Sequence, residues 1–185
     1  MWWAPSTHPA GSIGRSDLPQ DLPVLERDVV RLVVLDISDR LLLFHTRDPT
    51  MPEKGIWWEL PGGGIDDNED YADTAIRELR EETGIQAKRP QIGISTWRRS
   101  SSFRYRGTRY LQHEIVVSVH LDILGPDIDG SERLEFEKED YFGFRWWPIA
   151  EVKSSTDQFY PHRLPALLPA FLAQESITEP FELWP

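Results

Sequence analysis

The sequence predicts an α/β sandwich built around a mixed β-sheet. Strand-like apolar segments are interspersed with helical ones, and some neighbouring strands are close enough along the chain to form hairpins. Hairpin connections do not fit a purely parallel sheet, which needs long crossovers, so a mixed sheet is expected. With 185 residues, 39% of them hydrophobic, the chain can form one domain with a sizeable core.

The first half of the chain is predicted to contain a tail, three strands and a helix. Residues 1–23 include four prolines and no apolar period, which is typical of a flexible tail. Three segments rich in β-branched or aromatic residues predict strands: 29–37, 41–46 and 56–60. Residues 70–83 carry apolar side chains at helical spacing, and Gly84 is a helix stop signal.

The second half is predicted to add strands over 92–97, 110–124 and 142–147. Residues 161–175 predict a closing helix that is irregular because prolines interrupt it. We therefore expect one domain over 24–175 and a C-terminal tail over 176–185. Trp2 and Trp3 are unusual in a flexible tail and suggest docking on the domain or on a partner.

Composition excludes several classes of protein. The formal net charge is −11, which disfavours an extended nucleic-acid surface and attachment to anionic lipid. The absence of cysteine excludes disulfides, thiolate metal sites and cysteine nucleophiles. No apolar run is long enough to span a bilayer, and the first residues do not look like a secretory signal. We expect a soluble, cytoplasmic protein with no membrane partner.

The charges are concentrated in blocks. Residues 59–85 carry a net charge of −7, and 127–140 carry −5, whereas 98–109 hold five arginines and no acid. Acidic blocks most often form solvated surfaces. The order of acid, base and acid within one domain also suits a site that holds metal cations and an anionic ligand.

Three carboxylates share one side of the predicted helix. Glu78, Glu81 and Glu82 are spaced i, i+3 and i+4, which puts them on one wedge bordering the apolar face. Their mutual repulsion requires compensation, and hard divalent cations such as Mg²⁺ prefer oxygen ligands. The alternative is a salt-bridged surface helix in which Arg77 and Arg80 neutralise these acids.

The surrounding residues resemble the Nudix box, which has a fixed pattern of glycines, acids and an arginine. All nine positions of the pattern are present: Gly63, Glu69, Arg77, Glu78, Leu79, Glu81, Glu82, Gly84 and Ile85. The flanking strands and the closing helix also look like this family over about residues 27–175. The resemblance implies a Nudix-like α/β/α sandwich with a mixed sheet.

The resemblance also implies a hydrolase that requires Mg²⁺ or Mn²⁺. The glutamates and a backbone carbonyl would hold the metal: Gly62, Glu78, Glu81 and Glu82. The other box residues would be structural: Gly63, Glu69, Arg77 and Gly84. Bound metal would neutralise a substrate diphosphate and lower the pKa of the attacking water. The expected reaction splits a nucleoside diphosphate linked to another group.

The general base is less clearly indicated than the metal ligands. Some members of the family use a box glutamate, here Glu78 or Glu81, and others use a glutamate in a loop before the last strand. In that loop Glu135, Glu137 and Glu139 are candidates, and we favour Glu137. The alternative is that the loop is simply a solvated acidic surface.

Substrate contacts are expected from the arginine block and the strand that follows it. Arg104 and Arg106 are candidates to hold phosphates, and Glu114 is a candidate to line the site. A solvated hairpin tip and a surface strand are the respective alternatives. The family's substrate-typing motifs are missing, with Ser101 where a proline would mark ADP-ribose-type members.

Two further interpretations concern the whole chain. The first is a Nudix module that senses a nucleotide sugar without turning it over; such modules commonly lose box glutamates, and this chain retains them. The second is a partner-binding protein that uses its tryptophan-bearing tails. We also expect a small nucleotide as the substrate and a second copy of the chain, in a homodimer, as a candidate partner.

Overall fold

A mixed sheet lies between two layers of helices in the computed structural model, which describes residues 13–184. Within these residues the sheet has nine strands. They are β1 (Val24–Leu35), β2 (Arg40–Arg47), β3 (Ile56–Glu59), β4 (Trp97–Tyr105), β5 (Thr108–His120), β6 (Tyr141–Pro148), β7 (Phe159–Tyr160), β8 (Ile177–Thr178) and β9 (Glu182–Leu183). The helices are α1 (Tyr71–Thr83), α2 (Glu135–Asp140), α3 (Ile149–Ser154) and α4 (Leu164–Leu172).

The strand order is β7-β3-β2-β1-β5-β4-β8, with β6 also paired to β2 and β9 to β4. β1 pairs in parallel with β5 along its whole length, whereas β4 and β5 form an antiparallel hairpin. The hairpin turns through Arg106 and Gly107, both at positive φ, the geometry that suits a two-residue turn. The mixed sheet and the sandwich architecture predicted from the sequence are confirmed.

The sheet opens between β1 and β2, and a glycine-containing loop fills the opening. β1 and β2 share a registered pair only at Leu35 and Leu41. Residues 61–65, which follow β3, then run alongside β1, and the amides of Leu32 and Val30 donate to the carbonyls of Pro61 at 2.9 Å and Gly63 at 3.0 Å. These bonds satisfy buried backbone groups of β1 and fix the loop against the sheet.

Both faces of the sheet are covered. On one face, Val30, Leu32 and Val34 pack with Ala75 and Leu79 of α1. On the other face, the core includes side chains of β1, β2, α3 and α4: Val33, Leu35, Leu41, Leu43, Val152, Leu164, Leu168 and Phe171. Burial on both sides explains why β1 has an almost continuous apolar sequence instead of an alternating one.

Several element boundaries differ from those predicted. The strand expected over 92–97 begins only at Trp97 and continues to Tyr105, because its polar half pairs with β5 through backbone bonds that leave no hydrophobic signature. The closing helix covers only 164–172. α2, α3 and β7 were not predicted, since elements of two to six residues carry too few periods to be recognised.

The segments expected to be tails have defined positions where the structure describes them. Residues 1–12, with Trp2 and Trp3, lie outside the described residues. Next to them, Leu18 is buried and the carbonyl of Pro23 accepts from the amide of Arg109 at 2.9 Å. Residues 177–178 and 182–183 extend the sheet as β8 and β9. No helix within 13–184 is long and apolar enough to cross a membrane.

Candidate active site

A cavity of about 550 Å³ opens beside α1 and the 61–65 loop. One set of lining residues is acidic: Asp48, Glu59, Asp66, Glu78, Glu81, Glu82, Glu132, Glu137 and Asp140. A second set is basic or aromatic: Arg27, Arg31, Lys54, Trp57, Arg77, Phe103, Arg104, Tyr105, Phe136, Tyr141, Tyr160 and Trp184. The cavity therefore offers oxygen ligands for a cation together with cationic groups for an anion.

Helix α1 presents its glutamates to this cavity because both of its ends are fixed. The Asp70 side chain caps the helix by accepting from the amides of Ala72 at 2.9 Å and Asp73 at 3.0 Å. Gly84 ends the helix in the left-handed conformation at φ 72°. Both ends lie within one residue of the predicted helix boundaries, and Gly84 is the predicted stop.

Glu82 is the most enclosed of the three helix glutamates, with 2% of its surface exposed. Its carboxylate accepts from the amide of Gly62 at 2.8 Å. Burial raises the pKa of Glu82 well above its ordinary value, and the negative charges of Glu78 and Glu137 raise it further. A cation placed among these carboxylates would offset both the cost of burying their charges and their mutual repulsion.

Glu78 lies against the glycine loop. A Cβ on Gly63 would overlap the Glu78 carboxylate, so any larger residue there would require Glu78 to move. Burial raises the pKa of Glu78, although the guanidinium of Arg77 donates to its Oε1 at 2.6 Å and opposes the change. Glu81 is more exposed and also contacts Arg77, at 3.3 Å.

Arg77 connects the box residues to one another. Its Nε donates to Glu69 Oε1 at 2.9 Å, and its Nη2 donates to the carbonyl of Gly64 at 2.9 Å. Glu69 also accepts from the hydroxyl of Thr74 at 2.9 Å. The hydrogen bonds from Arg77, with that from Thr74, lower the pKa of Glu69 to about 2 despite its partial burial. Glu69 is therefore a fixed anion that orients Arg77.

Gly62 has a conformation that other residues rarely adopt. Its φ is +129°, and a Cβ there would overlap the carbonyl of Val30 in β1. This close approach lets the amide of Gly62 reach Glu82. Its carbonyl is 3.5 Å from Nη1 of Arg31, a distance too long for a strong hydrogen bond.

The donor set has the chemistry that a hard divalent cation requires. Carboxylate and carbonyl oxygens are the ligands that Mg²⁺ and Mn²⁺ prefer. In the arrangement described for 13–184, no three acidic or histidine side chains converge on one point, since Glu78 is drawn to Arg77 and Glu82 to Gly62. Rotation of these side chains away from those two partners would free their oxygens for a cation.

The three loop glutamates proposed as bases have different surroundings. Glu135 pairs with Lys138 and its side chain is 91% exposed, while Glu139 is exposed and pairs with Arg106. Glu137 lines the cavity, where burial raises its pKa. Its carboxylate accepts from the amide of Leu134 at 2.9 Å at the start of α2. Of the three, Glu137 is the one that faces the box glutamates.

The predicted substrate residues occupy three different environments. Arg104 lines the cavity with a partly exposed side chain. Arg106 lies outside the cavity lining and pairs with Glu139 at 2.8 Å and Asp140 at 2.9 Å. Glu114 is fully enclosed beneath the cavity, and it does not line it.

Glu114 belongs to a buried ion cluster. It contacts Arg99 at 2.6 Å and accepts from the hydroxyl of Tyr160 at 2.5 Å, with Arg31 at 3.9 Å. Burial disfavours the charged form of Glu114 and by itself would raise its pKa. The positive charges of Arg99 and Arg31 have the opposite and larger effect, so the pKa of Glu114 lies below its ordinary value. The cluster supports the floor of the cavity because Tyr160 and Arg31 also line it.

Several lining residues were not among the candidates from the sequence. Arg27 and Arg31 lie on one face of β1. An arginine inside the otherwise apolar sequence of β1 could have indicated a residue of the site. Buried Glu59 accepts from the indole nitrogen of Trp57 at 2.9 Å. An acid next to two tryptophans and just before the glycine loop could likewise have indicated that Glu59 belongs to the site.

Comparison with known proteins identifies the family. A family model described as the NUDIX domain matches residues 25–167, more than half of the chain. The chain belongs to the Nudix hydrolase family. The box resemblance read from the sequence is thereby confirmed.

Two curated relatives are similar in sequence. An RNA pyrophosphohydrolase of Dinoroseobacter shibae is 34% identical over 79 residues, 42% of this chain and 47% of the relative. A CMP-5'-(N-acetyl-N-hydroxy-3-aminopropyl)phosphonate hydrolase of Streptomyces rubellomurinus is 31% identical over 122 residues, 65% of this chain and 51% of the relative. The chain thus spans about half the length of these relatives.

Among solved structures, the MutT protein of Methanosarcina mazei has the same fold. The match has a TM-score of 0.58 and covers 84% of this chain and 98% of that protein. At 15% sequence identity this likeness concerns the fold alone.

Proposed function

We propose that this Nudix protein is a metal-dependent hydrolase that cleaves the diphosphate linkage of a nucleoside diphosphate joined to another group. One observation carries the proposal. Glu78, Glu81 and Glu82 line the same cavity as a group of arginines and aromatic rings. A metal with bound diphosphate needs carboxylates on one side and cationic donors on the other.

Each group of residues has a distinct role in the proposed reaction. Glu78, Glu81, Glu82 and the Gly62 carbonyl hold Mg²⁺ or Mn²⁺, which supplies charge neutralisation at the diphosphate and acidifies water. Arg77 and Glu69 fix the glycine loop against the helix that carries the glutamates, through the contacts with Gly64 and with each other. Arginines of the lining, Arg27, Arg31 and Arg104, bind phosphate oxygens as charge-assisted donors.

Glu137 accepts the proton of the attacking water in the proposed reaction. The water oxygen forms a new bond to one phosphorus while the bond from that phosphorus to the bridging oxygen breaks. The electron pair stays with the bridging oxygen on the leaving phosphate. The products are a nucleoside monophosphate and the phosphorylated second group.

The names of the two relatives are consistent with this reaction class. One is named as a pyrophosphohydrolase of RNA and the other as a hydrolase of a CMP-linked phosphonate. We propose a small nucleotide as the substrate here, because the cavity volume of about 550 Å³ suits a molecule of that size and the net charge of −11 disfavours an extended nucleic acid.

A product screen tests the proposal. Purified protein is incubated with nucleotide sugars, deoxynucleoside triphosphates, dinucleotides and ADP-ribose, with Mg²⁺, Mn²⁺ or EDTA, and products are resolved by chromatography. We expect hydrolysis only with metal, and a loss of about a hundredfold or more in Glu82→Gln. The matched control is Glu175→Gln, which removes an exposed acid in the same way.

Two outcomes would contradict the proposed enzyme. Unchanged rates in Glu82→Gln would show that the site is assigned wrongly. Binding of a nucleotide without any product under all conditions would favour the sensing module instead.

A further inference from the structure

Residues 177–184, here called the C-terminal segment, are anchored along β4. The amide of Ile177 donates to the carbonyl of Thr96 at 2.7 Å, and the amide of Trp184 donates to Ser102 at 2.8 Å. Between them the amide of Glu179 donates to the backbone carbonyl of Arg98 at 3.0 Å. Backbone bonds at both ends and in the middle fix the path of the segment against the sheet.

Buried ion pairs add to this attachment. Arg99 of β4, whose side chain is 1% exposed, contacts Glu179 at 3.3 Å and also pairs with Glu182. Glu179 additionally accepts from the indole nitrogen of Trp97 at 2.7 Å. Because Arg99 also pairs with Glu114, the C-terminal segment is connected to the ion cluster that supports the cavity floor.

This anchoring brings Trp184 to the cavity wall. Its ring meets the Tyr160 ring edge-on, with centroids 5.3 Å apart and planes at 67°. Tyr160 in turn meets Phe103 at 5.8 Å, so three aromatic rings form a continuous stretch of the lining. Trp184 remains partly exposed, and the neighbouring Leu183 is 54% exposed without lining the cavity.

We propose that Trp184 is a substrate-contacting residue that selects for the planar nucleobase. The inference rests on the proposed function. The carboxylates and arginines of the cavity account for a metal and for phosphates, whereas the aromatic stretch has the chemistry that stacks on a base. The segment's ion pairs keep Trp184 in position before substrate binds.

A pair of matched probes separates base recognition from phosphate recognition. The first is the α,β-methylene analogue of ADP, which cannot be hydrolysed at that link, and the second is methylenediphosphonate, which lacks the nucleoside. Binding of each to the full chain with Mg²⁺ is measured by calorimetry for wild type, Trp184→Ala, Trp184→Phe and Leu183→Ala. Circular dichroism checks that each variant is folded.

We expect Trp184→Ala to bind the nucleoside probe about tenfold more weakly than wild type does. Its affinity for methylenediphosphonate should be unchanged. Trp184→Phe should recover most of the affinity, and Leu183→Ala should resemble wild type. Equal loss for both probes would overturn the inference, because it would assign Trp184 a purely structural role. Unchanged affinity of Trp184→Ala for the nucleoside probe would overturn it while leaving the proposed function intact. If wild type binds neither probe, both the inference and the proposed function fail.

Discussion

Arg77 donates hydrogen bonds to four partners from one planar guanidinium, and Glu69 is the partner that fixes its orientation. Its contacts reach Glu69, Glu78, Glu81 and the carbonyl of Gly64. A lysine could not replace this fork because an ammonium presents no fixed plane of donors. The positions of the glutamates proposed to bind metal thus depend on a residue that is expected to touch neither metal nor substrate.

Replacing Glu69 tests this dependence through stability. Glu69→Gln should lower the free energy of unfolding at pH 7 by about 2 kcal/mol, because charge-assisted bonds to Arg77 are lost. The native pKa of about 2 lies below the unfolded value. The stabilisation is therefore complete above about pH 4.5 and disappears as the pH falls toward about 2.

Urea unfolding of wild type and Glu69→Gln from pH 7 to pH 2.5 measures the effect. The difference between the two proteins should shrink steadily below about pH 4.5. A difference that stays constant or grows on acidification would contradict the assigned ion pair.

The general base is a second question at the scale of single residues. Glu137→Gln should lower kcat by about a hundredfold or more with little change in KM, because the proton acceptor is removed while binding groups remain. Glu135→Gln is the matched control, with the same substitution two residues away on an exposed side chain. Steady-state kinetics on the substrate found by the screen compares them. Equal activity of the two variants would refute the role of Glu137.

Single residues also show where sequence patterns suffice. The helical period puts Glu78, Glu81 and Glu82 on one wedge, and the complete box pattern around them indicated that they form a site instead of a salt-bridged surface. Arg106 and Glu114 could not be judged in the same way. Arg106 pairs with Glu139 and Asp140 of α2. Glu114 is enclosed by Arg99, Tyr160 and Arg31, which come from three other strands.

At the scale of elements, the loop over 61–65 determines the geometry of the site. Gly62→Ala should destabilise the protein by about 2 kcal/mol or more, because its positive φ is strained and the new Cβ meets the backbone of Val30. The loop would move away from β1 and take the amide that holds Glu82 with it. Activity should fall together with stability.

Gly64→Ala is the matched control for stability. Nothing lies within 4 Å of a Cβ at Gly64, and its φ is not positive. Thermal unfolding of both variants should show a lower Tm for Gly62→Ala and a nearly unchanged Tm for Gly64→Ala. Equal losses of stability would mean that the close approach to β1 is not what requires glycine.

Elements differ in how far the sequence predicts them. β1, β2 and α1 have enough apolar periods and clear end signals to be predicted. Their ends were predicted to within about two residues, except that β1 begins at Val24 and not at 29. β7, β8 and β9 have two residues each and exist only because a longer strand offers free backbone groups. Such strands follow from tertiary pairing, so local sequence contains no information about them.

For the whole molecule, the net charge of −11 conceals an internal separation of charge. Carboxylates of α1, α2 and β3 share the cavity with the arginines of β1 and β4. The bulk charge opposes the approach of a polyphosphate, while a bound divalent cation and these arginines reverse the local sign. Metal binding should consequently affect the stability of the entire fold.

Thermal unfolding measures this coupling without any substrate. Mg²⁺ or Mn²⁺ at about ten times its Kd should stabilise the native state by about 1.4 kcal/mol. For a domain of this size, that stabilisation should raise Tm by about 3–6 °C. Sodium chloride at equal ionic strength controls for general screening.

Variants then assign the effect to the site. Glu82→Gln without metal should unfold at a Tm equal to or above that of wild type, because it removes a buried charge that Glu78 and Glu137 repel. In Glu82→Gln, metal should raise Tm much less than it does in wild type, whereas Glu175→Gln should show the full metal-induced rise in Tm. A full rise in Glu82→Gln would place the bound metal elsewhere. No rise in wild type at millimolar metal would contradict binding of the cation by the substrate-free protein.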